Sequence, residues 1–118
     1  MKKLEIKNME SIDYDIFNFP ENIDNFNMLI TMSIGFSGES EADNFGVRVC
    51  STKWLMENIH TPEYMKFTII VKNFFLDEFI DSINEILKKC LDTNENLTMK
   101  RLSHYFQWEF ENYVELNS

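Results

Sequence analysis

The apolar alternation between positions 26 and 36 constrains the fold of this chain more than any other feature. Apolar side chains occupy every second position there: Phe26, Met28, Ile30, Met32, Ile34 and Phe36. A period of two puts alternate side chains on opposite faces of a strand, so the pattern predicts a β-strand with one buried face. The polar segment 37–44 predicts a hairpin tip, and alternating apolar residues over 45–49 predict the returning strand.

Flanking segments carry weaker β signals. Leu4 and Ile6 alternate with charged residues, which predicts a first strand at about residues 3–9. Residues 10–24 have no sustained period and predict a long acidic connection, which Phe17 and Phe19 fasten to the body of the protein. The β-branched run Phe67–Val71 predicts a buried strand.

Three segments show helical spacing or capping signals. Thr52 predicts the cap of a short helix over about residues 53–60, in which Trp54, Leu55 and Ile59 face inward. Asp77 predicts the cap of a longer helix, with apolar residues at helical spacing as far as Leu91. A further helix then runs to Tyr105, capped by Thr93 or Asn94.

These elements predict an α+β fold, in which residues 1–118 form a single domain. The expected sheet is mainly antiparallel, has four to five strands, and carries two to three helices packed on one face. Residues 108–113 begin with alternating aromatic and acidic side chains, so a strand is favoured there. Phe106, Phe110 and Tyr113 would also share a helical face, which leaves a helix as the alternative.

The net charge of −9 is concentrated in one third of the chain. Residues 8–47 contain no Lys or Arg and eight acids: Glu10, Asp13, Asp15, Glu21, Asp24, Glu39, Glu41 and Asp43. The other residues hold twelve acids and eleven bases, a net charge of −1. Such a field repels nucleic acid and anionic membranes and favours a basic protein partner. Solubility alone is the alternative explanation.

The sequence offers few groups for catalysis or metal binding. His60 and His104 are the only histidines, and neither has a partner at metal-ligand spacing. No nucleophile elbow or phosphate-binding loop is present. We therefore expect no catalytic residue, cofactor or metal. Two alternatives remain: a small hydrolase that uses Glu109 and Glu111 with His104, and a structural adaptor that pairs through the edge of the Phe26–Phe36 strand.

The compartment is inferred from cysteines and hydropathy. Cys50 and Cys90 lie inside predicted elements and are expected to be buried free thiols. No apolar run has the length of a signal sequence or a membrane helix. The sequence therefore predicts a cytoplasmic protein.

Two motifs resemble those of the bacterial immunity protein 8 family of polymorphic toxin and contact-dependent growth inhibition systems. The first block is Cys50-Ser51-Thr52-Lys53-Trp54-Leu55, and the second is Trp108-Glu109-Phe110-Glu111-Asn112-Tyr113. The resemblance covers about residues 4–113. The family pattern has Pro where Thr52 stands and Asp where Asn112 stands, and the second departure leaves the role of that acid open.

The resemblance implies an immunity protein that binds the toxin domain encoded beside it and blocks that toxin. It identifies neither the toxin nor the contact residues. The charge pattern adds a hypothesis about the site, because many such toxins are nucleases whose active sites attract phosphate. The residues expected to contact a basic toxin cleft are Asp13, Asp15, Glu39, Glu41 and Asp43.

Overall fold

The computed structural model describes residues 2–110. Five strands and three helices follow one another in this part of the chain: β1 (Leu4–Ser11), β2 (Asn27–Phe36), β3 (Asp43–Ser51), α1 (Thr52–Asn58), β4 (Thr68–Val71), α2 (Leu76–Cys90), α3 (Glu95–Tyr105) and β5 (Gln107–Trp108). One turn of 3₁₀ helix, Ile16–Asn18, interrupts the connection between β1 and β2. The predicted α+β class is confirmed.

The sheet is mainly antiparallel, as predicted, with one parallel pairing. Its order is β1-β2-β3-β4. The short strand β5 also pairs with β3, at Phe45 and Gly46 near its start, whereas β4 pairs with the end of β3. Strand β4 runs parallel to β3 because α1 and the segment after it form a crossover between them. Strand β2 pairs with β1 on one side and β3 on the other. The Phe26–Phe36 segment therefore has no free edge, and the edge pairing expected of an adaptor was wrong.

The core lies between one face of the sheet and two helices. Every predicted inward residue of β2 is buried, together with Phe45, Val47 and Val49 of β3. Helix α2 and helix α3 cover this face with the following buried residues: Phe79, Ile83, Leu87, Cys90, Thr98 and Leu102. Asn27, Leu29, Thr31 and Ser33 lie on the opposite face of β2 and are half-buried.

A bulge at Lys7 explains an irregularity in the first strand. Ile6 pairs with Ile34 and Asn8 pairs with Ser33, so Lys7 is the extra residue. An extra residue shifts the alternation by one position. Ile6 and Met9 can therefore both contact the core, although they are three residues apart.

The caps of two helices differ from the prediction. Ser51, rather than Thr52, caps α1, because its hydroxyl accepts a hydrogen bond from Trp54 N at 3.2 Å. The N-cap of α2 is Phe75, which provides no side-chain hydrogen bond, rather than Asp77. Asp77 lies in the first turn instead, where the helix dipole favours a negative charge. Asn94 caps α3, which confirms one of the two predicted caps, Thr93 or Asn94.

Two elements are less buried than the sequence predicted. Helix α1 has no fully buried residue, and Trp54, Leu55 and Ile59 are half-buried. A seven-residue helix in a crossover covers only part of the sheet. Strand β4 is half-buried, and Ile70 is 55% exposed, because β4 lies at the edge of the sheet.

Cys50 and Cys90 are buried free thiols, as predicted. Burial raises the pKa of both thiols, so neither carries the negative charge of a reactive thiolate near neutral pH. Within residues 2–110, no helix combines the length and apolar character needed to span a membrane.

Candidate functional site

The first two predicted contact residues, Asp13 and Asp15, hold the connection after β1 in place. A carboxylate oxygen of Asp13 accepts a hydrogen bond from Leu29 N at 2.9 Å, where the ladder between β1 and β2 has ended. Asp15 caps the 3₁₀ turn by accepting from Phe17 N and from the Asn18 amide, both at 3.1 Å. These two hydrogen bonds lower the pKa of Asp15, the amide of Asn18 contributing most.

The other three predicted contact residues lie in or beside the hairpin tip between β2 and β3. The Glu39 carboxylate binds the Lys2 ammonium at 3.1 Å, and Lys2 also binds Glu95 of α3 at 2.8 Å. Asp43 accepts a hydrogen bond from Trp108 Nε1 at 3.2 Å. Glu41 is exposed. Asp43 and Glu39 therefore each have a partner within the protein, but the Glu39 side chain is still 42% exposed, and Glu39 and Glu41 are accessible to a second protein.

The hairpin tip folds back against the end of β2. A Cβ atom built on Gly35 would lie 2.3 Å from the carbonyl oxygen of Glu41 and 3.2 Å from Ala42 Cα. The Lys7 side chain also passes close to Gly35, with its Cε 3.0 Å from the same Cβ position. Its ammonium donates to the Glu39 carbonyl and pairs with Glu5. The absence of a side chain at Gly35 lets the tip approach this closely, which fixes the position of its acids.

The structure places the two groups of predicted contact residues at opposite ends of β2. Asp13 is bound to Leu29 near the start of the strand, whereas the tip begins directly after Phe36. Seven residues of strand at about 3.3 Å each separate these points by roughly 23 Å. The five acids therefore form two separate surface regions rather than one patch.

The second family motif fastens the end of the chain to the start of β3. The Trp108 ring stacks on Phe45, with centroids 6.4 Å apart and an interplanar angle of 13°. Glu109 accepts hydrogen bonds from the backbone N–H and the side-chain amide of Asn44, at 2.9 and 3.2 Å. Phe110 packs edge-on against Trp108. These residues thus stabilise the hairpin.

The predicted strand at 108–113 is observed only in part. Strand β5 ends at Trp108, and Glu109 and Phe110 lie in a turn. Glu111, Asn112 and Tyr113 lie outside the described residues, and with them the rest of the predicted segment. Phe110 remains 42% exposed, so it docks only partly.

The first family motif depends on Ser51, for which no role was predicted. Ser51 is fully buried, and its hydroxyl accepts from Phe26 N at 3.1 Å in addition to Trp54 N. The backbone N–H of Ser51 donates to Phe26 O at 3.0 Å. One serine therefore joins the end of β3, the start of β2 and the start of α1. A serine between an alternating strand and a helical run is the signal that could have identified it.

No catalytic constellation is visible in the described part of the chain. Glu109 is bound to Asn44, and His104 is exposed on α3. Residues 2–110 hold no group of three His, Cys, Asp or Glu side chains arranged to bind a metal ion.

Exposed apolar side chains near the acidic connection were not predicted. Ile12, Phe17 and Phe75 are 94%, 63% and 59% exposed. Phe17 was expected to fasten the connection to the core, but that contact is made by Phe19 and the buried Ile16. The Asp15 cap signal, which places the residues after it in a turn, could have indicated that neighbouring side chains diverge.

Together, the described residues form a small α+β fold that exposes acids at the hairpin tip and apolar side chains near the acidic connection. The chain belongs to the immunity protein 8 family, whose model matches residues 4–113. Family membership supports a general role as an immunity protein and, with it, a toxin partner. Comparisons with curated proteins and with solved structures gave no match.

Proposed function

We propose that this protein binds a cognate toxin domain and neutralises it by covering a basic surface of that domain. The charge segregation supports this mechanism: residues 8–47 hold eight acids and no base. In the fold, that span reaches from the second half of β1 through the hairpin tip into β3. Strand β2 itself carries no charged residue, so the negative charge of this span lies toward the two ends of the strand.

A cationic cleft is the surface that such a field would attract. Toxins that cleave nucleic acid need positive charge to hold phosphate, and a rigid acidic surface competes for the same cations. The tip meets this requirement, because Glu39 and Glu41 are accessible and the contacts at Gly35 and Lys7 hold the loop. Steering by such a field raises association rates by roughly 10- to 1,000-fold at low salt.

Charge reversal at the tip tests this mechanism. The double variant Glu39→Lys, Glu41→Lys leaves Asp43 and its hydrogen bond to Trp108 intact. The binding partner is the inactivated cognate toxin domain, which is to be sought as the C-terminal domain encoded by the gene directly upstream. We expect association at low salt to slow by about 10-fold or more. The measurement is the association rate, accompanied by growth of cells that produce the active toxin domain.

A matched control separates local from overall charge. Glu63→Lys, Glu85→Lys changes the net charge equally, but both residues are exposed outside the acidic span 8–47, Glu63 in the connection before β4 and Glu85 on α2. We expect this control to associate faster than the tip variant. Equal association rates for the two variants would contradict a contact at the tip. Failure of the wild-type chain to bind or protect would refute toxin neutralisation itself.

A further inference from the structure

A second accessible surface lies at the end of β2 opposite the hairpin tip. Ile12, Phe17 and Phe75 form what we call the aromatic patch. Phe17 lies between two grooves: it shares one with Phe75 at the start of α2 and the other with Ile12 in the acidic connection. All three side chains are more than half exposed. Large exposed aromatic residues in grooves are typical of the anchors at protein interfaces.

The local structure fixes Phe17 in its outward position. Asp15 binds the N–H of Phe17 and the amide of Asn18, and these hydrogen bonds close the 3₁₀ turn. On either side, Ile16 is 2% exposed and Phe19 packs on Phe26 at 5.2 Å between ring centroids. The core thus holds both neighbours while the ring of Phe17 stays outside. Because the backbone that presents the ring is already held, less entropy is lost when a partner packs on it.

Phe75 is held outward in a similar way. Its neighbour Phe74 is 7% exposed and packs against Phe19 at 5.0 Å. Phe75 occupies the N-cap position of α2, where Ser, Thr, Asp or Asn would satisfy a backbone N–H. An exposed aromatic residue stabilises neither the core nor the helix end. Residues that serve binding commonly occupy positions that are unfavourable for stability.

The charges around the patch define the chemistry of its partner. Five acids line the two grooves: Glu10, Asp13, Asp15, Glu21 and Asp77. No Lys or Arg lines either of these two grooves. Phe17 also borders a third groove on the side of β1, where Lys7 is paired with Glu5 at 3.1 Å. An apolar surface surrounded by carboxylates complements a cationic segment that also carries an apolar side chain.

We infer that the aromatic patch receives a basic segment of the toxin domain bearing at least one large apolar side chain. This inference rests on the proposed function and adds an anchoring surface to the tip that steers association. Apolar anchors act mainly on the dissociation rate, whereas exposed charges act mainly on the association rate. The two ends of β2 therefore make kinetically different contributions.

Substitution of the two aromatic residues tests the anchor. The variants are Phe17→Ser and Phe75→Ser, and Phe75→Ser also supplies the helix cap that α2 lacks. The partner is again the inactivated domain encoded directly upstream. We expect each variant to dissociate about 30-fold faster, with association changed less than threefold. Tyr64→Ser is the control, because Tyr64 is 88% exposed and lies in the connection before β4.

A peptide probe tests the patch independently of the toxin. The capped pentapeptide Arg-Trp-Arg-Leu-Arg is titrated against the labelled protein and compared with Glu-Trp-Glu-Leu-Glu. We expect the basic peptide alone to shift the amide resonances of Ile12, Phe17 and Phe75, and we expect Phe17→Ser to remove these shifts. If the peptide binds there but the upstream domain does not bind the wild-type chain, the proposed function is wrong. The patch would still be shown to bind a basic segment with apolar side chains.

Three results would overturn the proposal that the aromatic patch binds the toxin domain. The first is that Phe17→Ser and Phe75→Ser, both folded, dissociate from the domain at the wild-type rate. The second is an equal effect of Tyr64→Ser. The third is a concentration-dependent dimer of the wild-type chain that Phe17→Ser converts to a monomer, because the occupant would then be a second copy. Circular dichroism and urea unfolding of each variant establish that it is folded.

Discussion

Gly35 shows how one residue positions the hairpin tip. Any Cβ at this site meets the Glu41 carbonyl at 2.3 Å, and the atoms it meets there and at Ala42 are backbone atoms that no rotamer change can move. The tip would have to shift away from β2, with loss of the contact between Lys7 and the Glu39 carbonyl. A single methyl group at Gly35 would therefore displace the hairpin tip, which is proposed to face the toxin.

We predict that Gly35→Ala lowers the free energy of unfolding by about 1–3 kcal/mol, the usual cost of overpacking. Gly46→Ala is the matched control, because its nearest new contact is Leu29 Cδ1 at 3.7 Å, an ordinary distance. Since Gly46 lies in β3 directly beside β2, the control should raise stability by up to about 1 kcal/mol. Urea unfolding measures both values, and equal effects of the two substitutions would contradict the proposed tip packing.

At the scale of elements, the 3₁₀ turn after β1 depends on an ionised side chain. The hydrogen bonds that Asp15 accepts from Asn18 and Phe17 lower its pKa in the folded protein. A carboxyl with a lowered folded pKa stabilises the fold at pH values above its ordinary pKa of about 3.9. That stabilisation is lost as the pH falls below this value toward the folded pKa.

We predict that Asp15→Asn loses less stability than the wild-type chain between pH 5 and pH 3. Asn keeps the ability to cap the turn but does not titrate in this range, so the two chains should differ little at pH 7. The measurement is urea unfolding at a series of pH values. Parallel stability curves for the wild type and the variant would show that Asp15 does not contribute to the acid sensitivity.

Patterns within a single element and the pairing of β2 with β3 across one hairpin were predictable from the sequence, whereas neighbours more distant in the chain were not. The period-two pattern of β2 gave its buried face correctly, because the pleat alone decides which side chains share a face. The parallel pairing of β4 and the bulge at Lys7 depend on which strand lies alongside, which local spacing does not record. The partial burial of α1 has the same origin, since a crossover helix covers only what lies beneath it.

The candidate site shows the same division between local and long-range information. The sequence located the acids, but their separation along β2 and the hydrogen bond from Leu29 to Asp13 arise from pairing between distant segments. The outward position of Phe17 depends on whether Ile16 or Phe17 reaches the core, and both are apolar. Composition alone does not distinguish these two side chains.

For the whole molecule, the distribution of charge matters more than its sum. The chain carries −9, and the span 8–47 accounts for −8 of it. The fold spreads this span over both ends of β2, with Asp13 at one end and Glu39 at the other. Steering is thus expected from both ends of the strand, while the proposed apolar anchors occupy one end only. These two contributions differ in their response to salt.

We predict that raising the salt concentration from about 50 to 500 mM slows association with the upstream-encoded toxin domain by at least 10-fold, because screening shortens the range of the field. Dissociation should change far less, since burial of Phe17 and Phe75 is only weakly salt-dependent. The Phe17→Ser variant should keep the salt dependence of association while dissociating faster. Salt-independent association of the wild-type chain would contradict electrostatic steering and leave the aromatic patch as the sole basis for recognition.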